Sequence, residues 1–224
     1  QNSQNADVIE GQESAEYYNS TEEERLEIGV PSIDNHVYLK ENARFAKALI
    51  YLWAASNDDK YLEKSSAIKN HLISDYKGPN GLYRREYGRE TYSLEGNLAL
   101  LDLLMLWYQI GGDKDDLNKA DYLAFAIKSD LKTINGMKPS TGDGAIAVEP
   151  VQINNLEAVL SFNLIGHLMD DEDLKEHALW IYNNLDQQAL LEKVGYIPLL
   201  LRAQIELEEE PFHAVYIITA CTRG

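Results

Sequence analysis

Between Leu98 and Ile110 almost every position is apolar, with Asp102 and Gln109 the interruptions, so the pattern predicts a helix buried nearly all round. Gly111 and Gly112 then break the run, and Asp113 is placed to cap a new helix. Beyond it Leu117, Ala120, Leu123, Ala124, Ile127 and Leu131 return at i, i+3, i+4 spacing with polar residues between them. The stretch from Ser93 to Leu131 therefore predicts one helical hairpin, with a buried inner helix and an amphipathic outer one.

The same pattern occurs before and after it. An Asn opens an apolar helix at Asn42, Asn97 and Asn155, 55 and 58 residues apart. An Asp-rich turn follows in each copy (Asn57 to Asp59, Asp113 to Asp116, Asp170 to Asp173), and a Leu sits in the first turn of the next helix (Leu62, Leu117, Leu174). Self-similarity at a fixed period is the mark of stacked supersecondary units. The chain thus predicts an all-α fold of sequential hairpins, with Leu49, Leu52, Leu101, Leu104, Leu160 and Leu164 as the shared core. A seventh helix over roughly 190–208 begins a fourth hairpin, and Pro198 kinks it or displaces its start.

The flanks read differently. Residues 1–30 are rich in Gln, Asn, Ser and Glu and predict a polar linker, with a capping box at Thr21 to Glu24 that opens a short turn; the hairpin domain occupies 31–224. The segments 78–92 and 135–150, rich in Gly and Pro, predict excursions between hairpins, the first with β character. At the end, Val215 to Thr219 is a β-branched run that predicts a short C-terminal strand, whose partner strands lie elsewhere or which docks on the helices.

Composition narrows the function. The 224 residues carry a net charge of −17, which opposes binding to nucleic acid or to an anionic membrane surface. No run reaches ~18 apolar residues, so no membrane span is expected, and without a signal peptide the chain reads as cytoplasmic or as a mature secreted protein. A single cysteine, Cys221, excludes an intramolecular disulfide, and no spacing suggests a metal site or a cofactor.

At SIDNHVYLKENARFA the chain resembles a known family, the thioredoxin-domain proteins similar to the spermatogenesis-associated type, whose C-terminal region is a six-hairpin α/α toroid of the glycosidase kind. Asp34, His36, Val37 and Asn42 fall at matching spacing, while Glu41 stands where the family has Trp and Ala43 where it has Gly. Leu94-Glu95 followed by Gly96-Asn97 resembles a second signature, and Glu149-Pro150 with Asn154 or Asn155 echoes a third. The resemblance covers about 31–219 and implies a partial α/α toroid of a longer protein. The thioredoxin part and its cysteine pair are absent from this sequence, so redox chemistry is not implied.

Hairpins return the chain to its starting side, so the loops before Asn42, Asn97 and Asn155 should share one end of the assembly. Aromatic rings with carboxylates and cations at such a mouth suit sugar recognition, and paired acids suit glycosidic chemistry. The candidates for acid–base work are Asp34, His36, Glu95 and Glu149. Those for binding are Tyr38, Arg84, Arg85, Tyr87, Tyr92 and Gln152. The same residues would also serve as helix caps, local ion pairs and loop packing. His167 lies on an inner helix, whereas His71 and His177 on outer helices read as surface or packing residues. Two functions are thus expected: a carbohydrate-related binding or catalytic module taking a sugar-like or anionic molecule, or a non-catalytic scaffold that holds a partner protein, in part through the C-terminal strand.

Overall fold

The computed structural model describes residues 8–9, 12–13, 19–28, 36–142 and 150–209. The expected C-terminal strand, Asp34 and Glu149 lie outside these residues. Near the N-terminus β1 (Val8–Ile9) pairs antiparallel with β2 (Gln12–Glu13). The expected capping box opens α1 (Glu22–Ile28): the Thr21 amide donates to Glu24 Oε2 at 2.7 Å, and the Glu24 amide donates back to Thr21 Oγ1 at 3.4 Å.

Three hairpins follow. They are α2 (Leu39–Ser56) with α3 (Asp59–Asp75), α4 (Leu94–Gly111) with α5 (Lys114–Leu131), and α6 (Gln152–Met169) with α7 (Glu172–Asn183). Each inner helix starts three residues before its marker Asn. The turns are built alike: Asn57, Gly112 and Asp170 adopt left-handed φ of 55°, 68° and 54°, and the next residue, Asp58, Asp113 or Asp171, caps the outer helix with its carboxylate. Asn, Gly and Asp are the residues that tolerate this conformation, and a carboxylate satisfies free amides at the positive end of a helix.

The segment expected as one seventh helix divides into α8 (Gln187–Leu191), a 3₁₀ turn (Val194–Tyr196) and α9 (Ile197–Glu208). Pro198 falls in the first turn of α9, where its missing N–H costs nothing, so it sets the start of the helix and does not bend it.

The inner helices α2, α4, α6 and α9 stand in sequence order, each packed on the next. Their register is parallel, because Lys40 meets Glu95 and Lys47 meets Asp102, both pairs 55 residues apart. Helix α4, flanked on both sides, buries Leu98, Leu100, Leu101, Leu103, Leu104 and Met105, as its apolar composition requires. Of the expected core, Leu49, Leu101 and Leu104 are buried, and Leu160 and Leu164 are half-buried at the edge of a cavity. Leu52 is a correction: it is 44% exposed, because among the described residues α2 packs on its hairpin partner α3 and on one inner helix, α4. Among the described residues no helix is long and apolar enough to cross a membrane.

The excursions between hairpins form a thin loop layer. β3 (Thr91–Ser93) pairs antiparallel with β6 (Ser140–Gly142), and β4 (Lys132–Thr133) pairs with β5 (Gly136–Met137). Gly142 is obligatory there: its φ is +96°, and a Cβ would lie 2.1 Å from the Glu90 carbonyl oxygen.

The marker asparagines hold this layer to the helices. Asn97 accepts from the Tyr83 amide at 2.7 Å and donates to the Tyr83 and Ser93 carbonyls at 2.9 and 2.8 Å. Asn155 repeats the arrangement on Met137, accepting at 2.7 Å and donating at 2.9 Å, and donates to Val151 at 3.1 Å. Both are buried, so a side chain with a donor and an acceptor side by side is needed to satisfy the N–H and the C=O of the residue it faces. Asn42 makes one of these bonds, to the Tyr38 carbonyl at 2.7 Å.

Candidate functional site on the concave wall

A cavity of ≈ 670 Å³ runs along the inner helices and is lined from all four of them. Helix α2 contributes Arg44, Lys47 and Tyr51, which share a stripe with Lys40 at i+4, i+7 and i+11. Helix α4 contributes Glu95, Asp102 and Gln109 with Leu98 and Ala99. Helix α6 adds Glu157, Leu160, Ser161, Asn163 and Leu164, and α9 adds Leu199, Arg202 and Glu206. Polar residues on otherwise buried helices therefore collect on one side, the inside of the curve.

Each cation of this wall touches a carboxylate. Lys40 Nζ lies 2.6 Å from Glu95, Arg44 Nη2 3.2 Å from Glu157, Lys47 Nζ 3.4 Å from Asp102 and Arg202 Nε 2.7 Å from Glu206. Asp102 also accepts from Ser161 Oγ at 2.8 Å, and Asn163 Nδ2 donates to the Glu206 carbonyl at 2.8 Å, tying α6 to α9. Burial raises the Glu157 carboxyl above its ordinary pKa; Arg44 opposes this, while Asp102 adds to it, with smaller opposed contributions from Lys40 and Glu95. Glu157 is therefore more inclined to hold a proton than an ordinary glutamate, and Asp102 is fixed by two partners. Four cations matched by four carboxylates leave a surface dense in oriented donors and acceptors and close to neutral.

Of the acid–base and binding candidates among the described residues, only Glu95 lines this cavity. The others described serve the loop layer. Arg84 Nε donates to Glu90 at 2.7 Å and Arg84 also bonds the Lys77 carbonyl at 2.7 Å. Tyr92 is buried and its hydroxyl bonds the same Glu90, whose carboxyl is lowered by Tyr92 first and Arg84 second. Arg85 stacks its guanidinium 5.8 Å from the Tyr38 ring, and its backbone bonds Leu39 and Thr91. Tyr38 itself sits at the N-cap of α2 and bridges to Glu86. His36 approaches Glu86 at 3.9 Å and Tyr87 lies exposed beside the Tyr76 ring. Gln152 accepts from the Asp186 amide at 3.0 Å, holding α8 to the start of α6.

The wall residues Arg44, Lys47, Asp102, Glu157, Ser161, Arg202 and Glu206 were not singled out from the sequence. The usable signal was a charge inside an otherwise apolar helix, which Asp102 provides. Buried helices do not carry such residues unless they are paired. Among the described residues no group of three or more His, Cys, Asp or Glu side chains is placed to hold a metal ion.

No family model matches the sequence and no curated protein matches it. Solved structures do. A family 76 glycoside hydrolase from a bovine Bacteroides thetaiotaomicron strain superposes with a TM-score of 0.64 at 13% identity, covering 79% of this chain and 44% of that one. A sugar epimerase from a ruminal bacterium gives 0.60 at 14%, covering 66% and 41%. An inactive variant of a Salegentibacter α-1,6-mannanase in complex with α-1,6-mannotriose gives 0.58 at 14%, covering 66% and 46%. The fold is thus that of the α/α toroids, with the chain spanning less than half the length of each of these three.

Proposed function

We propose that the concave wall of this chain is the binding surface of a carbohydrate-related α/α-toroid module, and that its ligand is a neutral saccharide. The observation that carries this reading is the pairing of every wall cation with a carboxylate. An anionic ligand needs uncompensated positive charge, whereas sugar hydroxyls need fixed donors and acceptors side by side, which matched ion pairs supply. Tyr51, Leu98 and Leu160 add apolar area for ring faces. The fold shared with sugar epimerases and mannan-degrading enzymes supports the same reading. So does the resemblance to the toroid region of thioredoxin-domain proteins, under which this chain is one arc of a longer protein. The Tyr- and Arg-rich loop layer has a holding role in this proposal.

The test is a calorimetric and thermal-shift screen of wild type, Arg44→Ala/Glu95→Ala and Arg85→Ala against neutral mono- and oligosaccharides and the corresponding sugar phosphates. Neutral ligands should bind wild type and Arg85→Ala alike and lose about tenfold or more in the double variant, an energy of ~1.4 kcal/mol. Wild type that binds no sugar overturns the reading, and preference for sugar phosphates overturns its neutral form. The alternative, a scaffold that holds a partner protein, is favoured by one observation: apolar side chains stand exposed at both ends of the row of inner helices.

A further inference from the structure

A second pocket, of ≈ 400 Å³, lies between the outer helix α5 and the loop at 77–83, and it shares no residue with the concave wall. Its size is that of an ordinary small-molecule site, roughly 300–1,000 Å³. Gly81, at φ +86°, brings the loop close against α5: a Cβ there would meet the Ala126 methyl at 3.2 Å. Helix α5 supplies two neighbouring stripes, Lys119, Leu123, Ala126 and Asp130 on one and Tyr122, Phe125 and Ser129 on the other.

The second stripe is unusual for an outer helix. Tyr122 is 75% and Phe125 67% exposed, and their Cβ atoms are about 5–6 Å apart, as for any i, i+3 pair. Folding does not call for rings there, because α5 already buries Leu117, Ala120, Leu123, Ala124, Ile127 and Leu131 on its core face. Nor does their exposure come from an end of the chain. The buried Lys69–Asp116 pair joins α5 to α3 on one flank, and Lys128 with Asp173 joins it to α7 on the other. The rings stand on the middle helix of the outer row.

Polar groups converge beside them. Asn80 Nδ2 donates to Asp130 Oδ2 at 2.6 Å, and Asn80 Oδ1 accepts from the Leu82 amide at 3.3 Å, so an amide and a carboxylate are fixed side by side. Lys119 is paired with Asp115, one turn back. Tyr83, whose backbone Asn97 grips, also lines the pocket and is 4% exposed. Burial raises its phenol above the ordinary value, so the hydroxyl keeps its proton. Among the described residues that hydroxyl has no hydrogen-bond partner, although a buried tyrosine hydroxyl usually finds one. A ligand in the pocket would provide it.

We propose that this pocket is a second saccharide-binding site, on the outer face of the module, in which Tyr122 and Phe125 lie against sugar rings while Tyr83, Asn80 and Asp130 bond hydroxyls. Asp130 opposes an anion and Lys77 opposes a cation, which leaves a neutral sugar. The site is independent of the ligand that the concave wall takes. If both sites hold sugar, they are separate points of attachment for one long or branched polymer, and linking the two binding events raises avidity for it over free monosaccharide.

Hydrogen exchange and calorimetry with maltotetraose, cellotetraose and mannotetraose test the site, with tetragalacturonic acid as the anionic comparison. The proteins are wild type, Tyr122→Ala/Phe125→Ala, Tyr83→Phe and the wall variant Arg44→Ala/Glu95→Ala. At least one neutral tetrasaccharide should slow exchange at 77–83 and 119–130 in wild type and equally in the wall variant. Tyr122→Ala/Phe125→Ala should lose that protection and weaken this binding about tenfold or more. Tyr83→Phe keeps the packing and removes only the hydroxyl; it should weaken binding severalfold, and it carries the test if the double variant misfolds. Protection by sugar at the wall alone overturns the outer site and leaves the wall reading standing. Protection at 77–83 and 119–130 alone does the reverse. Binding unchanged in the folded aromatic variant, or tighter binding of tetragalacturonic acid, also overturns the outer neutral-sugar site, and binding of no sugar overturns both sites.

Discussion

Arg44 Nη2 lies 3.2 Å from Glu157 Oε1, joining the first inner helix to the third across the second, 113 residues along the chain. On the second helix the corresponding position is Ala99, whose methyl leaves the gap open. This contact is the main opposition to the burial that raises the Glu157 carboxyl. Replacing Arg44 with Met, which keeps the stem and removes the charge, should move the Glu157 titration further up. Ala99→Leu should do the same by forcing the pair apart. A side-chain carbon titration by nuclear magnetic resonance reads both; a downward shift in either variant would refute the assignment.

His177 is 3% exposed, with Phe162 edge-on at 4.9 Å and Trp180 stacked at 5.3 Å, and neither ring nitrogen has a hydrogen-bond partner. Burial, with Lys132 and Lys128 nearby, lowers it to about 4, and Asp173 opposes the shift only in part. The folded form therefore binds this proton less readily than the unfolded chain, so stability falls as pH drops from about 6.5 through about 4. The loss expected by linkage is on the order of 3 kcal/mol. His177→Phe should flatten that part of the profile in thermal melts at a series of pH values, and an unchanged slope would show that another group causes it.

The buried asparagines are expected to be costly to replace. Asn97→Ala removes three hydrogen bonds and takes the side-chain partner from both the N–H and the C=O of Tyr83, a loss of about 2–4 kcal/mol. Hydrogen exchange should speed up at the Tyr83 amide in this variant and at the Met137 amide in Asn155→Ala. Loss of stability without local exchange at those amides would place the cost elsewhere.

Two leucines of similar sequence context should separate cleanly. Leu104→Ala empties a fully buried site and should cost roughly 2–5 kcal/mol in a denaturant titration. At concentrations where the chain is monomeric, Leu52→Ala should cost less than about 0.5 kcal/mol, as for a surface position. Equal costs would mean that the Leu52 face is covered within the chain.

Much of the helical layer is legible in the sequence. The apolar run of α4, the periodic stripe of α5 and the Asp caps all act through local rules, and local rules are written in neighbouring residues. The cavity was not legible in the same way. Lys40, Arg44 and Lys47 look like the solvated face of an ordinary helix until α4 and α6 bring carboxylates against them, and that depends on the curvature of the whole row. The Tyr- and Arg-rich loop resembles a mouth in sequence because rings and cations suit sugars. Its partners Glu86 and Glu90 stand only a few residues away in the chain and absorb most of that chemistry locally.

The asparagine contact reaches back 14 residues in one repeat and 18 in the next, yet grips one residue's N–H and C=O with the same acceptor and the same donor. What the helix senses is the backbone N–H and C=O of one residue delivered to a fixed spot, whatever length of chain delivered them. Each repeat thus behaves as a socket with an interchangeable plug. Segments between the gripped residue and the helix are free to lengthen, shorten or be grafted from elsewhere, and the row of inner helices behind them would not have to shift.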